Sequence, residues 1–334
     1  MNEKIDFVLL WVDGNDPKWL KEKEKYSSSK NLGTSNTKNR FRDWNNLQYW
    51  FRAVEKYSSW VNKIFFVTWG HVPSWLKENK KLQIVKHEDF IPKEYLPTFN
   101  SNTIILNLHR IKGLSENFVL FNDDMFLNDY VKETDFFING IPRDQFSYNL
   151  ISSTGNENDS FNHMLLNNID IINKYFKKAD VTKRNIFKIF NLKYSLNNNI
   201  KSFLLLAWEK IPGFENPHIA YSYKKETFRK LWELELITLH NTCKNKFRGL
   251  NDVTDWLIRY WQLCTSNFKP RKSKFGVYLE IKDENERIKK VILEKKAKLI
   301  CLNDVGEYKN FNKTAQEIIE IFETTLPNKS EFEK

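Results

Sequence analysis

Apolar residues in this chain follow two rhythms. Mainly apolar runs recur at Ile5-Asp-Phe-Val-Leu-Leu-Trp11, Lys63-Ile-Phe-Phe-Val-Thr-Trp69, Phe118-Val-Leu-Phe121 and Ala297-Lys-Leu-Ile-Cys-Leu302, with a further one at Leu82-Gln-Ile-Val-Lys86. Short runs rich in β-branched and aromatic residues read as strands buried on both faces, as in the middle of a parallel sheet. Between them apolar residues fall at helical spacing, through Leu47, Trp50, Phe51 and Val54, from Asn102 to Ile111 behind a Ser101 N-cap, and from Thr254 to Leu263. Strand and helix in alternation predict an α/β fold with a mainly parallel, twisted sheet of Rossmann-like character.

The rhythm breaks near Tyr130. Short strands and loops follow, and from Phe161 to Lys210 Asn, Lys, Ile and aromatics recur at helical spacing with no chemical motif. The expected organisation is therefore residues 1–129 as the first part of the α/β domain and 130–215 as an inserted, mainly helical subdomain. Residues 216–310 return to the α/β domain, and 311–334 form a terminal helix with a tail frayed from Pro327 onward.

The strand endings carry the candidate chemistry. The third run stops at Asn122-Asp123-Asp124, the first at Val12-Asp13-Gly14-Asn15-Asp16-Pro17, and the last at Asn303-Asp304. Carboxylates there occupy the edge where open α/β sheets place ligands, and they suit a hard divalent cation holding a diphosphate. Asn and Asp are also ordinary turn residues, the reading that best fits Asp16 before Pro17. Arg40 follows a stretch rich in Ser, Asn and Lys that reads as a mobile loop; its guanidinium fork matches phosphate oxygens, as does that of Arg248 in a Gly-containing turn. His218 sits on a loop behind Pro217, a placement suited to proton transfer.

Composition narrows the partners. The 334 residues are 41% hydrophobic and 15% aromatic, which excludes a disordered chain, and the net charge of +11 favours anionic partners. Basic residues are spread along the chain without a nucleic-acid signature, so no nucleic acid is expected. The basic face is compatible with peripheral contact at the inner, acidic face of a membrane. Three cysteines without metal-ligand spacing, no apolar leader and no run of transmembrane length predict a cytoplasmic protein.

Taken in order, these segments resemble the Stealth family of sugar-1-phosphate transferases: bacterial capsule and cell-wall polysaccharide enzymes, with the α/β subunit of the animal phosphotransferase that tags lysosomal enzymes. The resemblance is carried by Asp6-Phe-Val-Leu-Leu-Trp-Val-Asp-Gly-Asn-Asp-Pro17 and by a long block from Arg40 through Trp60–Thr68, Leu96-Pro-Thr-Phe-Asn-Ser101 and His109–Ser115 to Phe121-Asn-Asp-Asp124. His218, Phe247-Arg248 with Asp252, and Leu299–Asp304 extend it, so that only the middle insertion and the tail are uncovered. Asn45 and Asn46 stand where the family often has acidic residues, so the helix there is assigned no catalytic carboxylate.

The resemblance implies a GT-A-like variant of the fold and transfer of a sugar 1-phosphate from a nucleoside diphosphate sugar to a hydroxyl of a glycan or lipid-linked glycan, giving a phosphodiester. It implies functional roles for Asp13, Arg40, Asp123, Asp124, His218, Arg248 and Asp304. In the mechanism expected from their chemistry, Asp123, Asp124 and Asp304 hold Mg²⁺ or Mn²⁺, Arg40, Arg248 and Asn122 meet the substrate phosphates, and Arg248 acts with His218 and Asp13 in catalysis, His218 being the preferred base and Asp13 the second. The alternatives are a metal-dependent GT-A-like glycosyltransferase, which leaves no phosphorus in its product, and a non-catalytic module that binds anionic glycans.

Overall fold

The computed structural model describes residues 3–27, 41–152, 155 and 159–334. Strands are β1 (Ile5–Leu10), β2 (Ile64–Thr68), β3 (Leu82–Lys86), β4 (Asn117–Phe121), β5 (Met125–Leu127), β6 (Phe137–Ile138), β7 (Ile141–Asp144), β8 (Tyr221–Lys224), β9 (Lys269–Pro270), β10 (Gly276–Ile281) and β11 (Leu299–Asp304). Helices are α1 (Pro17–Tyr26), α2 (Leu47–Tyr57), α3 (Ser101–Leu106), α4 (Glu133–Phe136), α5 (Ser160–Tyr175), α6 (Lys178–Ile189), α7 (Leu196–Leu204), α8 (Lys225–Leu234), α9 (Leu236–Lys244), α10 (Trp256–Cys264), α11 (Glu286–Leu293) and α12 (Phe311–Thr325).

The central sheet has the order β3-β2-β1-β4-β8. Its first four strands are parallel and β8 runs against β4. The apolar runs form its middle because both faces of β1, β2 and β4 are covered. Alternation sorts their side chains between two cores: Phe7, Leu9, Phe66 and Phe121 pack with α2, α11 and α12. Val8, Phe65, Val67 and Phe118 pack with α3, α8, α9 and α10. The one charge in β1, Asp6, is fully buried and accepts from Asn62 Nδ2 (2.6 Å) and the Ser115 N–H (2.7 Å), so it lashes together the turns that precede β2 and β4. A small sheet, β10-β11-β5, leans on the C-terminal side of β4, and a second, β6-β7-β9, leads toward the helices α5 to α7.

Two local expectations change. The cap of α3 is Asn100, whose side chain accepts from the Asn102 N–H, while Ser101 accepts instead from Arg248. Residues 327–334 are not frayed. Phe332 is buried beside Phe51, the Lys77 N–H donates to its carbonyl (2.8 Å), and Arg52, itself buried, grips Glu333 (2.9 Å). Polarity had suggested a loose end, but one phenyl ring and one carboxylate suffice to dock it against α2. Among the described residues no helix is long and apolar enough to cross a membrane.

Candidate active site

Sheet topology brings distant acidic residues to one edge. β1 and β4 are adjacent and parallel, Leu9 opposite Phe121, so the segments carrying Asp13 and Asn122-Asp-Asp124 leave the sheet side by side. This is also where the strand order reverses, since β2 and β3 continue to one side of β1 and β4 lies on the other; ligands of open α/β sheets bind at that point. Because β8 runs against β4, with Tyr221 opposite Leu120, the segment entering β8 delivers His218 to the same edge. β11 pairs with β5, and the Leu302 N–H donates to the Asp124 carbonyl (2.8 Å).

The resulting cleft is lined by Trp11, Arg42, Asp43, Asp123, Asp124 and Asp304 among others. Asp124 stands at its centre. The Cys301 thiol donates to Asp124 Oδ2 (3.3 Å), and His218 Nε2 lies 3.6 Å from that oxygen. The other oxygen, Oδ1, is buried and has no hydrogen-bond partner among the described residues. Burial works against ionisation of Asp124, but His218 and Cys301 hold its carboxyl below the usual carboxylate range. Its neighbour behaves oppositely. Asp123 opens onto the cleft, yet protein crowds its other sides, and this with the charges of Asp124 and Asp43 pushes its carboxyl up to about 8.

Asp43 extends the acidic row. Burial and the nearby charge of Asp13 raise its carboxyl, although it accepts from the Asn45 N–H (2.8 Å). Asp13 is fixed through its backbone, whose N–H donates to His71 Nε2 (2.7 Å); the other ring nitrogen of His71 lies 3.3 Å from Asp16 Oδ2. Asp16 itself caps α1 through the N–H groups of Lys18 and Trp19, a structural role. Gly14 is required here by space: a Cβ would meet the Phe41 carbonyl oxygen at 1.7 Å.

Asp304 reaches the cleft with both oxygens engaged. Oδ2 accepts from Trp44 Nε1 (3.2 Å) and pairs with Arg42 (3.3 Å), while Oδ1 accepts from the Gly306 N–H (2.9 Å) and the Tyr308 hydroxyl (3.0 Å). Arg248 lies beyond the small cluster of Trp19, Phe99 and Phe247, and donates from Nε (3.0 Å) and Nη2 (2.6 Å) to Ser101 Oγ. Val12 and Phe41 border that cluster, which links the Arg248 turn to the end of β1. Arg40 lies outside the described residues. The structure therefore gathers Asp13, Asp123, Asp124, Asp304 and His218, with Asn122 in the same turn, and sets Arg248 to one side.

A buried guanidinium holds the His218 loop. Arg259 donates to Asp144 Oδ2 (2.7 Å) and Oδ1 (3.1 Å), to the carbonyls of Gln145 (2.9 Å) and Glu215 (3.0 Å), and to Asn216 Oδ1 (2.7 Å). Asp255 accepts from the Tyr223 hydroxyl (2.7 Å), and burial raises its carboxyl although that hydroxyl and the nearby His218 work the other way. Neither Arg259, Asp255 nor Asp43 was singled out by sequence reasoning. The signals were present: a lone arginine inside the apolar Leu257-Ile-Arg-Tyr-Trp261, and carboxylates one residue ahead of α10 and four ahead of α2.

The residues present fit a divalent cation. An orphaned, ionised oxygen of Asp124 beside Asp123 and Asp43 is an oxygen-rich, cation-deficient arrangement of the kind hard ions occupy. On its other side, donor atoms of Asp124, His218 and Cys301 lie within 4.8 Å of one another, a mixed set better matched to a softer ion.

Comparison with known proteins bears on the family. Residues 40–144 match Stealth protein CR2, conserved region 2, and residues 3–31 match Stealth protein CR1, conserved region 1. The capsular polysaccharide phosphotransferase WcwK of Streptococcus pneumoniae is 46% identical over 334 residues, covering 99% of this chain and 98% of that protein. The exopolysaccharide phosphotransferase cps2G of Lactiplantibacillus plantarum is 42% identical over 99% of this chain and 96% of its own length. Among solved structures, the galactosyltransferase LgtC aligns over 98% of both chains with a TM-score of 0.41 and 8% identity.

Proposed function

The chain belongs to the Stealth family, and from that premise we propose that it transfers a sugar 1-phosphate from a nucleoside diphosphate sugar to a hydroxyl of a glycan acceptor, forming a phosphodiester in a capsular or other cell-surface polysaccharide. The observation that carries the site assignment is the buried, unpartnered Oδ1 of Asp124, a residue that lines the cleft at the sheet's switch point and whose other oxygen lies beside His218.

In this reading the acceptor oxygen forms a new bond to the phosphorus next to the donor sugar, the P–O bond to the nucleoside monophosphate breaks, and the hydroxyl proton goes to His218 Nε2. The ring nitrogen that would take the proton lies 3.6 Å from Asp124 Oδ2. Asp13 is the second candidate for the base. Asp124 and Asp123 would hold Mg²⁺ or Mn²⁺, which neutralises charge on the diphosphate. Asp304 is the weaker third ligand, since Arg42, Trp44, Gly306 and Tyr308 already occupy its oxygens. Arg248, Arg40 and Asn122 serve the remaining phosphate oxygens, a role suited to guanidinium forks and an amide. Three reduced, buried cysteines agree with a cytoplasmic enzyme.

The test is to incubate the purified chain with a panel of nucleotide sugars, acceptor glycans and either Mg²⁺ or EDTA. Metal-dependent release of nucleoside monophosphate, with a phosphodiester signal in the ³¹P spectrum of the product, is expected. Release of nucleoside diphosphate into a phosphorus-free product would assign glycosyl transfer instead. No nucleotide product under any condition would leave a binding module.

A further inference from the structure

The mainly helical segment leaves a concentrated apolar surface uncovered. On α7, Leu196, Ile200, Phe203 and Leu204 share one helical face and all are exposed, Leu196 and Phe203 by 76% and 65%. Phe187 at the end of α6 and Leu192 in the following turn are 86% and 104% exposed. Hydrogen bonds hold that turn beside α7: the Asn191 N–H donates to Asn199 Oδ1 (3.2 Å), Asn199 Nδ2 to the Asn191 carbonyl (3.2 Å), and Asn191 Nδ2 to the Phe187 carbonyl (3.0 Å). Trp208, also exposed, follows α7. Scattered exposed leucines are ordinary, whereas a cluster on one structured surface marks a contact site.

Charge identifies the occupant. Between Lys177 and Lys210 the chain has eight Lys or Arg against two acids, Asp180 and Glu209, and Lys177, Lys183, Arg184, Lys193 and Lys210 are exposed. A second copy of this chain would bring the same cations and repel. A soluble acidic glycan would satisfy the lysines and leave the leucines wet. A bilayer with anionic headgroups satisfies both, because apolar side chains enter the acyl boundary while cations stay in the phosphate layer.

We infer that the face made by the end of α6, α7 and Trp208 seats the protein on an anionic lipid surface. The same helix is tied to the His218 loop: Lys201 Nζ lies 3.4 Å from Glu215 Oε2, three residues before His218, and the Tyr148 N–H donates to Ser202 Oγ (3.0 Å). Docking thus sets the segment bearing the proposed base at the membrane, beside an acceptor glycan carried on lipid. That last consequence rests on the transfer reading; the docking does not.

Flotation of the full chain with phosphatidylcholine vesicles, with and without phosphatidylglycerol, tests it whether or not an activity is found. Binding to phosphatidylglycerol vesicles at least about tenfold tighter than to neutral ones, and weakened by salt, is expected. The triple variant Leu196→Ser/Phe203→Ser/Trp208→Ser should lose most binding, and Lys183→Gln and Lys193→Gln about fivefold each. All the substituted positions are exposed, and an unchanged far-UV spectrum verifies folding. Absence of vesicle binding, equal binding to neutral vesicles, or full binding by the triple variant overturns the inference. So does a dimer, seen by light scattering, that the triple variant abolishes.

Discussion

Asn122-Asp-Asp124 and Asn303-Asp304 each close an apolar strand and line one cleft, yet their carboxylates are in opposite situations. Asp304 is surrounded by donors from its own chain, Arg42, Trp44, Gly306 and Tyr308. Asp124 keeps one buried oxygen with no partner, and Asp123 beside it is crowded by like charge. A buried carboxylate satisfied by its own chain stabilises the fold, whereas one left unsatisfied weakens it and is retained for a ligand. The difference separates an anchor from a binding group where sequence offers the same letters.

Substitutions can break or sharpen this contrast. Asp124→Asn keeps the shape and removes the charge; it should lower kcat/KM by about 10³-fold or more, because charge stabilisation by a bound cation contributes several kcal/mol, while the melting temperature stays level or rises. Near-normal turnover would end the assignment. His218→Ala should lower kcat by at least about 10²-fold, the smaller end of general base catalysis, and a comparable loss in Asp13→Asn with none in His218→Ala would transfer the role. Asp304→Asn should act through stability first. Loss of charge-assisted bonds worth about 1–3 kcal/mol predicts a melting point lower by a few degrees, about tenfold weaker activity and a smaller loss of metal affinity by calorimetry than in Asp124→Asn.

The smallest effect concerns pH. In EDTA, the Asp123 carboxyl holds its proton more tightly in the folded chain than in the unfolded one. Its stabilising share is therefore complete below the ordinary carboxylate range and fades as pH rises through about 8. Thermal melts should show Mg²⁺ raising the midpoint more at pH 8 than at pH 6, and Asp123→Asn should remove most of that difference. An Asp304→Asn protein should retain it.

The sheet was readable because apolar runs mark strands covered on both faces, and because helices alternating with strands imply parallel pairing. The site was half readable. Strand-terminal carboxylates announced Asp13, Asp123 and Asp124, but the short local sequence does not distinguish the anchored Asp304 from them, since two of its partners, Arg42 and Trp44, come from across the fold. Asp43 hid among turn residues for the same reason. The docked tail was misjudged because its polarity masks Phe332 and Glu333, whose partners Phe51 and Arg52 are remote in sequence.

Arg259 has a consequence for how the protein acquires activity. Its guanidinium joins segments around residues 144, 215 and 259, the first and last separated by 115 positions, and the loop that presents the imidazole hangs from that junction. Loops of such length close late, when most of the chain has already collapsed. Refolding should therefore restore turnover in step with the last tertiary signal, with no partly assembled intermediate able to work.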